Sequence, residues 1–419
     1  MHALNPAKTV AVCLFLVCVL LMAPLAARAD VVTEWNLTAI RASQAAGQPN
    51  PMFARNLAMV HAAIYDAVNA IDRSHTVYAV DIQAKPGAAI EAAAAAAAYG
   101  VLTTLYWTQT PTFEVALEES LAAIPEGPAR ADGLAVGAEV AQALLALRKD
   151  DRSNTPVTYT PTTDPGGYQL TLPAFASAVL PHWGGVTPFL LTRADQFELA
   201  GPPALTSAAF ATDLNEVQTL GAKHSATRTR DQADAAKLWI ATTIVTDNDA
   251  ARQLSTHQEL SVVDNARLFA LLNMAGADAY ITCWQAKYRH PYWRPVTAIR
   301  HADSAGNGGI TADPAWEPLL PTPAHPEYPS GRAAYTGATA RVLREFFGDE
   351  VRLSLTNPAV KVTRTYQSLA QMAQEVEDAR VWGGMHFRTA VVHGGALGRS
   401  IADYGLQHHL RPVSSRAGK

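Results

Sequence analysis

Apolar residues at 53, 57, 60, 64, 67, 68 and 71 recur at intervals of three and four, which lines one face of a helix over 53–71. An alanine run from Glu91 into Tyr99, continuing to Tyr106, has high helix propensity. Residues 131–149 repeat the helical spacing through Leu134, Val140, Ala143 and Leu147. The pattern stops over 152–188, which is rich in Pro, Thr and Gly and contains His182-Trp183-Gly184-Gly185. A long irregular excursion is expected there, of a kind that often lines sites. Helical spacing returns over 206–220, 232–243 and 263–288. A Gly/Asp/Pro-rich connection over 301–329 leads to helices expected at 330–347 and 362–381, and to a last one starting near His386. Strand alternation is scarce and no fixed repeat is visible, so the expected class is all-α. The organisation expected is an N-terminal helical region over 30–262, with its loop near 152–188, followed by a helical core over 263–419.

Composition narrows the function. The 419 residues are 49% hydrophobic and 17% charged, with 26 Gly and 26 Pro, which excludes a disordered chain, a collagen-like fibre and a coiled coil. Lys and Arg number 33 against 37 Asp and Glu, a net charge of −4, so no basic surplus points to nucleic acid. Any anion chemistry must come from a local cluster of cations.

Lys8, the apolar stretch 10–26 and Ala27-Arg28-Ala29 before Asp30 form the pattern of a secretory signal peptide over 1–29. Its loss would leave 31 basic and 37 acidic residues, a net charge of −6, and Cys283 as the only cysteine. An exported chain with one thiol has no internal disulfide. The expected location is secreted or periplasmic. No second apolar run reaches membrane-spanning length, so the mature protein is not expected to span a membrane. Asn36-Leu37-Thr38 has the form of a glycosylation acceptor.

The common nucleotide-binding, zinc-protease, nucleophile-elbow and paired-cysteine motifs are absent. The chemistry concentrates between Lys287 and His386. Lys287 is followed by Arg294-Pro295, then by Tyr328-Pro329-Ser330-Gly331-Arg332 heading an apolar helix, then by Arg380-Val-Trp-Gly383-Gly384-Met-His386. Ser330 is a natural N-cap, so the amides after it sit at the positive end of a helix and can receive an oxyanion. Arg380 and His386 would not share a face of an unbroken helix. Gly383-Gly384 allows the chain to turn between them, and Pro291 frees Arg294 from the helix carrying Lys287. Three cations, a hydroxyl, helix-end amides and an imidazole can then converge on a tetrahedral oxyanion. At an effective dielectric near 20, each cation ~4 Å from an oxyanion contributes roughly 4 kcal/mol.

These pieces resemble the K-x6-R-P, P-S-G-H and S-R-x3-G-x-H motifs of the vanadium-dependent haloperoxidase and type 2 phosphatidic acid phosphatase superfamily. The context Trp293-Arg294-Pro295, His325-Pro-Glu-Tyr-Pro-Ser330-Gly331 and Gly384-Met-His386 is similar to its bacterial haloperoxidase branch. The resemblance implies a helical-bundle fold of that type, with vanadate as cofactor and phosphate able to occupy the same site. By position it makes Lys287, Arg294 and Arg380 the clamps on the oxyanion. Ser330 would give its hydroxyl, Gly331 its amide, and His386 would be the vanadium ligand or a phosphatase nucleophile. The partners implied are hydrogen peroxide and a halide, with Lys287 polarising a peroxide oxygen, or else a small phosphoester.

Two departures matter to the chemistry. Arg332 stands where the superfamily has the His of P-S-G-H, and an arginine cannot exchange protons at any working pH. His325 and His290 are the candidates to replace it. Ala390 stands where the phosphatase branch has an Asp that orients the imidazole. Three readings follow: a haloperoxidase, an acid-phosphatase-type hydrolase, and a catalytically impaired vanadate- or phosphate-binding protein.

Overall fold

The computed structural model describes residues 30–413 except 242; the expected signal peptide lies outside them. Five helices come first: α1 (Val31–Ala45), α2 (Asn50–Asp72), α3 (Ile90–Leu105), α4 (Thr110–Leu121) and α5 (Pro128–Leu147). After the excursion come α6 (Ala208–Leu220), α7 (Arg230–Leu238), α8 (Thr243–His257), α9 (Val262–Arg289) and the short α10 (Pro295–Arg300). The chain closes with α11 (Gly331–Phe347), strands β1 (Glu350–Asn357) and β2 (Val362–Ser368), α12 (Leu369–Trp382) and α13 (Arg388–His408). The class is all-α, and the two antiparallel strands are the only sheet among the described residues.

The centre of the fold is α9, buried around its circumference rather than along one stripe, as a helix enclosed by others must be. It packs against α2 on one side and against α11 and α13 on the other. The α2 helix is also buried all round, which its one-face periodicity did not suggest. Its polar side chains are buried with partners: Arg55 Nε lies 2.7 Å from Asp151, and Asp66 accepts the amides of Tyr78, Ala79 and Val80.

The expected excursion is present: between α5 and α6 the chain is irregular apart from one 3-10 turn, Trp183–Gly185. Two expectations fail. Residues 362–368 form a strand instead of the start of a helix, because Val362, Arg364 and Tyr366 alternate with threonines and pair with β1 in the register Leu353↔Tyr366. The helix begins only at Leu369, capped by Ser368. Asn36 is fully buried in α1, where its Nδ2 lies 2.8 Å from both His61 and Asn248, so the folded chain offers no glycosylation acceptor there. Among the described residues no helix is long and apolar enough to cross a membrane.

The helices α11 and α13 meet backbone to backbone. A Cβ at Gly398 would lie 2.0 Å from the Ala334 carbonyl oxygen, and one at Gly394 would lie 2.6 Å from the Ser330 oxygen. Only glycine permits that approach.

Candidate oxyanion site

Chain breaks place the polar residues. Lys287 occupies the last turn of α9, which is capped by His290 before Pro291. Arg294 is the N-cap of α10, whose first residue is Pro295. Ser330 caps α11, accepting from the Ala333 amide at 3.4 Å. Arg380 lies in the last turn of α12; Gly383 and Gly384 (φ 77°) turn the chain, and His386 arrives two residues before α13. The turn expected at the two glycines is therefore made.

A cavity of about 250 Å³ opens at this point, with Gly331, Arg332, His325, Arg380 and His386 in its wall. Arg294, fully buried, stands one contact behind and ties the wall together. Its Nη1 donates to His386 Nε2 at 3.1 Å and to the Met385 carbonyl at 3.0 Å, and its Nη2 donates to His325 Nδ1 at 2.9 Å. Arg380 donates to the Trp239 carbonyl at 2.7 Å and to Met385 Sδ at 3.0 Å. Lys287, also fully buried, gives its three N–H donors to the carbonyls of Pro326, Glu327 and Pro329. Its donors are thus engaged by the loop before Ser330, and its action on an anion in this arrangement is that of a charge. His290 is half-buried against the Tyr328 ring and is not part of the cavity wall.

The residue that sequence reasoning missed is Glu327. It is buried, and its Oε1 accepts from His386 Nδ1 at 2.8 Å and from the Phe387 amide at 2.9 Å. Arginine is only a donor, so His386 Nε2 must carry the lone pair and Nδ1 the proton. The role expected of an Asp at position 390 is filled from the loop before α11. The signal was a lone carboxylate in an otherwise apolar His-Pro-Glu-Tyr-Pro run beside the motif serine.

Arg332 is likewise more embedded than a first-turn arginine suggests. It donates to the Ala241 carbonyl and, at 3.1 Å, to Thr246 Oγ1, and its guanidinium lies 5.1 Å from the Trp239 ring centre. Asp247, fully buried beneath it and bonded by Thr336 and Thr339, is its counter-charge. Trp239, Ala241 and Thr243 thus bring a wall of the cavity from a segment that the motifs do not include.

Electrostatically the site is short of anions. Burial draws Lys287 down to about 7, Arg294 to about 10 and Arg380 to about 9. Burial, reinforced by Arg294 and Lys287, holds His386 and His325 well below the usual imidazole range, so both are neutral. Burial also raises Glu327 to about 7, against the opposing pull of Arg294 and Lys287.

A family profile described as VCPO second helical-bundle domain matches residues 267–415. The vanadium chloroperoxidase of Curvularia inaequalis is 27% identical, over 72% of this chain and 62% of that protein, so the match spans less than two thirds of its length. A bacterial vanadium-dependent iodoperoxidase structure superposes with a TM-score of 0.78 at 25% identity, covering 92% of this chain and 97% of that one. Residues 267–415 thus resemble the second helical bundle of a vanadium chloroperoxidase, and the whole fold is similar to that of the bacterial vanadium-dependent haloperoxidases. A bacterial vanadium-dependent chloroperoxidase shares the fold at a TM-score of 0.70 and 18% identity, over 85% of this chain and 92% of its own.

The likeness to vanadium-dependent enzymes suggests vanadate, and the donor set suits it. Three buried cations face one buried carboxylate, and that carboxylate is committed to His386. The imidazole presents an unprotonated Nε2, as coordination to the central atom of a bound vanadate would require. Anion binding is coupled to Lys287. An oxyanion favours the ammonium, which is already present below pH 7 and must be formed above it. Sulfate affinity is therefore expected to fall up to ~10-fold per pH unit above 7, with uptake of one proton. Calorimetry in two buffers of different ionisation heat measures that uptake; an affinity flat from pH 7 to 9 contradicts it.

Proposed function

We propose that this protein is a haloperoxidase that holds vanadate at His386 and uses hydrogen peroxide to oxidise a halide. The observation that carries this reading is the His386 imidazole, fixed by Glu327 at Nδ1 and opening Nε2 toward Arg294 within a group of buried cations. Vanadate, when bound, supplies a Lewis-acidic centre that activates peroxide toward halide without changing oxidation state. Arg294, Arg380 and Lys287 neutralise its oxygens, and the Ser330 hydroxyl and Gly331 amide complete the oxyanion host. The signal-peptide pattern before Asp30 supports action outside the cytoplasm.

His325 is the group we assign to proton transfer. It lies in the cavity wall, its ring centre 4.8 Å from that of Trp284, and it accepts from Arg294 at Nδ1, which leaves the proton on Nε2. His325→Ala should cost ~10²- to 10⁴-fold in turnover, the usual worth of general acid–base help. Arg332→His should change turnover less than ~10-fold and destabilise the fold by about 1–3 kcal/mol, because Asp247 loses its counter-charge. The reverse ranking of the two rates would assign the proton work to position 332.

Glu327 also favours a second reading. It orients His386 as a nucleophilic histidine requires, so phosphomonoester hydrolysis by the vanadate-free protein stands as the alternative. One comparison separates the two. Bromination of an added phenol with peroxide, bromide and titrated vanadate supports the first reading. Nitrophenyl phosphate hydrolysis that vanadate inhibits supports the second. Saturable vanadate binding with neither activity leaves an anion-binding protein.

A further inference from the structure

Met385 is the one methionine among the described residues in the wall of the cavity, beside His386. It is 1% exposed, so solvent hardly reaches it and the cavity is its approach. Its sulfur accepts from Arg380 Nη2 at 3.0 Å, and it clusters with the apolar Ala236 and Leu320, against which Leu319 and Trp382 pack. A soft thioether therefore sits on a guanidinium that the oxyanion needs. Met59, Met274 and Met372 lie in the main core, and Met52 is half-buried elsewhere. Cys283 is fully buried outside the cavity wall, its Sγ directed at the Pro329 carbonyl.

We propose that Met385 is an oxidative modification site, converted to the sulfoxide by the hypohalous acid formed in this cavity, and that this conversion weakens the hold of Arg380 on the oxyanion. The inference rests on the haloperoxidase reading above. The sulfur lone pair attacks the halogen of the hypohalous acid, and water then delivers oxygen to sulfur as halide leaves. In sum, thioether plus hypohalous acid gives sulfoxide, halide and a proton: sulfur loses two electrons and the halogen gains them. The new S=O oxygen is a much stronger acceptor than the thioether and meets Arg380 Nη2 where the sulfur did. Arg380 is then directed at its neighbour instead of at the anion, and a polar group enters an apolar pocket. Catalysis would be limited by its own product, and the change is reversible by methionine sulfoxide reductases.

The test uses vanadate-loaded full-length protein, peroxide and bromide, with bromination of an added phenol counted in the same sample. Peptide mass spectrometry is expected to show a gain of about 16 Da at Met385 that grows with turnovers and precedes oxidation of the more accessible Met52. Bulk hypobromous acid added without turnover should oxidise Met52 first. The oxidised protein should bind vanadate ~10-fold more weakly. Met385→Leu, compared with its own initial rate, should survive several-fold more turnovers. Bromination with Met385 unmodified as activity decays, or with Trp239 or Trp284 modified in its place, overturns the proposal alone. Absence of any bromination overturns the haloperoxidase reading and this inference with it.

Discussion

Glu327→Gln is expected to weaken vanadate binding ~10- to 100-fold at pH 8, the usual consequence of losing the partner behind a ligating histidine. The same variant should bind sulfate equally or more tightly. Above pH 7 the carboxylate of Glu327 is increasingly ionised, since burial has raised it to about 7. It then raises the basicity of His386 through Nδ1, while its negative charge opposes any anion among the cations. A neutral amide removes both effects. Vanadate, bonded through its central atom, loses more from the weaker imidazole than it gains from the field. Sulfate, held only by its oxygens, gains. Paired titrations monitored by tryptophan fluorescence measure both affinities. Parallel weakening of the two anions would reduce Glu327 to a structural support.

His386→Ala should have the larger effect on activity. Bromination is expected to fall at least ~10³-fold, since a residue acting as a unit with its neighbours removes their joint contribution. Sulfate binding should stay within a few-fold, because Arg294, Arg380 and Lys287 remain. Vanadium NMR provides the direct reading: the wild type should show a bound resonance distinct from free vanadate, and the variant should lose it. Identical spectra for the two proteins would remove His386 from the coordination of the metal.

The sequence disclosed the site's frame better than its walls, for a physical reason. Lys287, Arg294, Ser330, Arg380 and His386 stand at helix ends, and helix ends are written locally in prolines, glycines and capping serines. Glu327 and Asp247 act across distances of 59 and 89 residues, to His386 and to Thr336, and no local pattern encodes such partnerships. The same division holds in the fold. Long apolar helices such as α9 were legible from spacing, whereas α8 was not, because many of its buried positions are polar (Thr243, Thr246, Asp247, Asn248 and Ser255) and it packs chiefly on α11 and β1. The hairpin was overlooked although Leu353 and Leu355 alternate with polar residues in β1; the helical pattern after Leu369 masked the short strand joined to it.

The glycine contact between α11 and α13 has an evolutionary consequence. Ser330 stands at the head of one of these helices and His386 just before the other, and no side chain intervenes where they cross. An added methyl at Gly398 cannot rotate aside, so its displacement passes into the helix axes and separates the hydroxyl from the imidazole. The wall at Trp239 and Ala241 is attached differently, by side-chain donors from Arg380 and Arg332 to main-chain carbonyls, which any residue supplies. Lineages can therefore vary that wall, and with it the molecules admitted, while the spacing that selects the oxyanion stays fixed by two backbones in contact.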